Sequence, residues 1–87
     1  MDEKALLASE VRNLYKIVLT VSEKDPGLTV NPETKGMYLA YVKKIKALFP
    51  KNEEVKNLSE EISEPFKYAD LSNLVGRLLV LLRFLVR

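Results

Sequence analysis

Within residues 3–22, Leu7, Val11, Leu14, Val18 and Val21 recur at intervals of four and three, flanked by Leu6 and Ile17. That spacing stacks them along one narrow stripe of an α-helix, with Arg12, Lys16 and Ser9 on the other side. The pattern predicts a core-facing helix. Three heptad steps are too few for a coiled coil. Lys24, Asp25, Pro26 and Gly27 then supply turn chemistry, and Leu28, Thr29 and Val30 make an extended link too short for a sheet.

A second start signal follows. Asn31 is suited to cap a helix, Pro32 to its first turn, and Glu33 to the positive end of its dipole. Tyr38, Tyr41, Val42, Ile45, Leu48 and Phe49 then share one face of a helix over 32–49, which Pro50 ends. Asn52, Glu53 and Glu54 repeat the signal. They predict a short helix over 53–63 that buries Val55, Leu58 and Ile62. Glu64 and Pro65 break the chain, Phe66 and Tyr68 fill a gap from a loop or single turn, and Asp70 caps a final helix over 70–86.

No stretch alternates apolar and polar residues for long enough to make a strand. The expected fold class is therefore all-α: a compact bundle of four helices in a single domain, 1–87, with the last helix central or at an oligomer interface. At 87 residues a second core would leave each half below the size that folds unaided.

The final helix is the most apolar. Projected at 100° per residue, Leu71, Leu74, Val75, Leu78, Leu79, Leu81, Leu82, Leu85 and Val86 fall on an arc of roughly 160°, wider than the stripe of about 100° that one neighbouring layer covers. Phe84 extends the arc and Val80 breaks into the polar side, which holds Ser72, Asn73, Gly76, Arg77, Arg83 and Arg87. The other helices of the chain can cover part of such an arc, and a second copy or a protein partner the rest. The candidate interface is Leu71, Leu74, Leu78, Leu79, Val80, Leu82, Phe84 and Val86. With arginines inside it, the apolar run falls short of the roughly 20 residues that span a bilayer, so no transmembrane segment is expected. In-plane membrane attachment would want more cations and a tryptophan anchor, which is absent.

Composition narrows the chemistry. There is no cysteine and no histidine, so disulfides, thiol catalysis, imidazole acid–base work and the usual zinc sites are excluded. The carboxylate pairs Glu53, Glu54 and Glu60, Glu61 read as solvated charge, and the three glycines are too scattered to cradle a phosphate. The expectation is no enzyme, no cofactor and no metal. The acidic start lacks the apolar run of a secretory signal, which leads to the cytoplasm. Absence of Cys, His, Trp and Gln beside abundant Lys, Glu and Leu fits a thermophilic source, although Asp25 before Pro26 and several asparagines weigh against it.

The net charge is only +2, but it is uneven. Lys43, Lys44 and Lys46 lie beside Tyr38 and Tyr41, and Arg77 lies on the last helix; together they are the candidate nucleic-acid contacts. Residues 55–77 also follow a degenerate helix-turn-helix order, with Leu58, Ser59, Ile62 and Ser63 in the places of its first helix. Two functions are thus expected from the residues. The first is a non-enzymatic helical interaction module, self-associating through the C-terminal helix or serving as an accessory subunit. The alternative is a small nucleic-acid-binding protein.

Overall fold

The computed structural model describes residues 2–62 and 66–86. The protein is all-α, with helices α1 (Glu3–Lys24), α2 (Pro32–Leu48), α3 (Glu53–Lys56) and α4 (Tyr68–Leu85), and no named strand among the described residues. The chain divides into two units: residues 1–30 with 65–87, holding α1 and α4, and residues 31–64, holding α2 and α3.

In the first unit the Asp2 carboxylate accepts the Ala5 N–H at 2.9 Å and opens α1. The helix runs two residues beyond the expected Ser22, to Lys24. Its end is set by Pro26, which forces only the preceding Asp25 out of helical geometry. Leu7, Val11, Leu14 and Val18 are buried, and α1 lies in extensive contact with α4.

The start of α4 differs from expectation. Asp70 is not its cap but its third residue, and the helix opens at Tyr68 with Lys67 in the capping position. The reason lies about 40 residues upstream. Thr29 and Lys67 form an isolated antiparallel bridge, in which the Val30 N–H donates to the Phe66 carbonyl at 2.8 Å and the Tyr68 N–H to the Leu28 carbonyl at 2.9 Å. The Ala69 N–H donates to the Pro26 carbonyl at 3.3 Å. Carbonyls of the 26–28 turn therefore satisfy two of the N–H groups that every helix start leaves open. Asp70 still contributes, accepting the Lys67 backbone N–H at 3.3 Å, while the Lys67 ammonium donates to the Thr29 hydroxyl at 3.2 Å. Phe66 and Tyr68 are both buried.

In the second unit Asn31 caps α2 as expected, its side-chain oxygen accepting the Thr34 N–H at 2.7 Å. Tyr38, Val42 and Ile45 are buried; Tyr41, Leu48 and Phe49 are half-buried. Asn52 likewise caps α3 through the Val55 N–H at 3.0 Å. The expected helix over 53–63, however, stops at Lys56. The Leu58 N–H turns back to the Val55 carbonyl, and the Ser59 hydroxyl accepts the Glu61 N–H and donates to the Glu61 carbonyl. A serine that offers the backbone these local bonds competes with helix continuation. Val55 is buried, and Leu58 and Ile62 are half-buried although their own backbone is not helical. The break expected at Glu64 and Pro65 lies outside the described residues, as does Ser63.

Burial pushes the Tyr38 phenol above its ordinary range. The folded chain then holds that proton more tightly than the unfolded one. The associated stability is present below the unfolded value of about 10 and is lost as pH rises past it. Denaturant midpoints measured between about pH 9 and 11 should fall steeply for the wild type and less steeply for Tyr38→Phe.

Candidate interaction surface on the last helix

Around α4 the side chains sort into three sectors. Tyr68, Leu71, Val75, Leu78, Leu79 and Leu82 are buried within the single chain. Leu74, Leu81, Leu85 and Val86 flank them half-buried. Asn73, Arg77, Val80, Arg83 and Phe84 are exposed. The eight residues expected at an interface are thus not brought to one surface. Leu71, Leu78, Leu79 and Leu82 are at most 5% exposed, covered already within their own chain. The width of an apolar arc does not reveal how far around a helix its own chain reaches. Leu74 and Val86 keep part of their surface. Val80 and Phe84, 52% and 63% exposed and one turn apart, are the large apolar side chains on the exposed side of the helix.

A shallow groove runs beside Val80, lined by Tyr15, Ser72, Asn73, Gly76, Arg77 and Val80. Gly76 makes it possible: a Cβ there would come within 3.2 Å of the Tyr15 ring. The missing side chain lets the Tyr15 ring lie directly against α4 and brings the two helices together along this seam. Sequence reasoning missed Tyr15, because its partner is a glycine on a helix some 60 residues away and no local pattern marks it.

Charge around Val80 is one-sided. Arg77 and Arg83 stand three residues before and after it, and Arg12 is exposed on α1 one turn before Tyr15, on the side away from the core stripe. None of the three makes an ion pair with a described residue. No acidic residue occurs between positions 71 and 87. The groove contains no nucleophile with a base beside it. The Ser72 hydroxyl donates to the Ala69 carbonyl of its own helix at 2.9 Å, and the chain has no histidine.

The expected nucleic-acid contacts divide between the two units. Lys43 and Lys44 are exposed on α2, whereas the Lys46 ammonium reaches Glu60 at 3.3 Å, so part of its charge is already answered. Arg77 belongs to the other unit. The helix-turn-helix reading of 55–77 also fails at its first helix, since α3 ends at Lys56 and residues 58–62 are not helical. No helix among the described residues is long and apolar enough to cross a membrane. No protein-family model, curated protein or solved structure matches the chain.

Proposed function

We propose that this protein is a non-enzymatic helical interaction module that self-associates through the exposed side of α4. The observation that carries the reading is the pair Val80 and Phe84, large apolar side chains more than half exposed and one turn apart on a helix whose other side forms core. Burying such a pair against another surface returns roughly 25 cal/mol per Å² of apolar area. The arginines around the pair resemble the polar rim of a protein interface, where arginine is enriched.

The exposed area is small, so association is expected to be weak, with apparent dissociation constants from about 1 μM to 1 mM. Sedimentation or light scattering across that range should show the average mass rising with concentration. The double substitution Val80→Gln with Phe84→Gln removes both apolar anchors while leaving helix propensity nearly unchanged. It should hold the chain monomeric with unchanged helicity. Strictly monomeric wild-type protein at every concentration would overturn the reading.

A further inference from the structure

The α1–α4 unit carries a second exposed apolar face, on which carboxylates outnumber cations. Leu6 and Ile17 on α1 are 48% and 61% exposed. At 100° per residue they lie about 180° and 200° around the helix from Tyr15, on the side away from the seam with Gly76. Asn13 and Lys24 lie on the same side of the helix, and Glu3 and Glu10 lie alongside. One face is therefore apolar with arginines (Val80 and Phe84 among Arg12, Arg77 and Arg83), and the other is apolar with two carboxylates, Glu3 and Glu10, at its start and one ammonium, Lys24, at its far end.

We propose that these two faces bind each other between copies, so that the α4 face of one chain takes the α1 face of the next, head to tail. The inference rests on the self-association reading and specifies its geometry. Charge favours it over pairing of α4 with α4. An antiparallel two-fold pair centred on Val80 would set Arg77 against Arg83 of the other copy at both ends, and like charges so placed oppose association. The α1 face instead offers Glu3 and Glu10 to those arginines. Because the two faces point away from each other, each copy that docks exposes a fresh face. The contact is heterologous and grows into an open series or a ring instead of stopping at a dimer.

Complementation of two variants tests this. One carries Val80→Gln with Phe84→Gln and loses the α4 face. The other carries Leu6→Lys with Ile17→Lys, which turns the α1 face cationic. All four positions are exposed, so both variants should keep wild-type helicity and melting temperature. Each alone should associate at least about 30-fold more weakly than the wild type. Mixed in equal amounts they should form a one-to-one heterodimer that does not grow, because each supplies the face the other lacks. Two monomeric variants that fail to combine would overturn head-to-tail docking. So would undiminished association of the α1 variant, which would instead indicate pairing of α4 with α4. A wild type that never associates would remove the parent reading as well.

Discussion

Leu78→Ala is expected to lower the free energy of unfolding by about 2 to 5 kcal/mol, the range found when a fully buried leucine leaves a cavity. Leu78 is 1% exposed and sits among Leu71, Val75 and Leu82, all buried on the same side of α4. Domains of this size are stable by only about 5 to 15 kcal/mol, so the loss is a large fraction of the total. It should appear as a lower denaturant midpoint. The same truncation at half-buried Leu74 should cost less, and Val80→Ala should stay within about 0.5 kcal/mol, as surface changes do. An unchanged midpoint for Leu78→Ala would place that side chain outside the core.

Val18→Asp should have a still larger effect. Val18 is fully buried on the α1 stripe, and no cationic side chain belongs to the buried set around it. A carboxylate there has lost water and gained no partner, which costs several kcal/mol and favours the protonated form. Its value in the folded chain is therefore raised above the ordinary 3.9 or so, and the folded state binds the proton more tightly than the unfolded one. Stability of this variant then declines as pH climbs past about 4, the opposite of a salt-bridged aspartate. Circular dichroism should show most helix in acid and extensive unfolding near neutrality. Wild-type helicity and melting temperature at neutral pH would contradict the assignment of α1 to the core.

Where the signals are local, sequence and structure agree. Asn31 and Asn52 cap their helices because a cap needs only a side-chain oxygen three residues before an open N–H. The disagreements come from non-local or competing bonds. The start of α4 depends on carbonyls at Pro26 and Leu28, which no reading of residues 66–70 could supply. In α3, Val55, Leu58 and Ile62 keep helical spacing, yet the hydroxyl of Ser59 diverts the backbone. The surface was half legible. In the sequence Val80 breaks from the arc and Phe84 extends it, whereas Tyr15, Arg12 and the opposing face with Leu6 and Ile17 become meaningful only once α1 is laid along α4.

The bridge between Thr29 and Lys67 also bears on how the chain finds its fold. Joining these positions closes a loop of 38 residues before α1 and α4 can zip together, and the length-dependent part of that closure is about 3 kcal/mol of chain entropy. Helical proteins dominated by neighbouring contacts avoid such a barrier and fold fastest. Here the principal helix pair joins the two ends of the sequence, so folding should be slow for an all-α chain of this length. Compaction of residues 31–64 ahead of that step would shorten the effective loop, giving α2 an influence on the folding rate out of proportion to its share of the α1–α4 core.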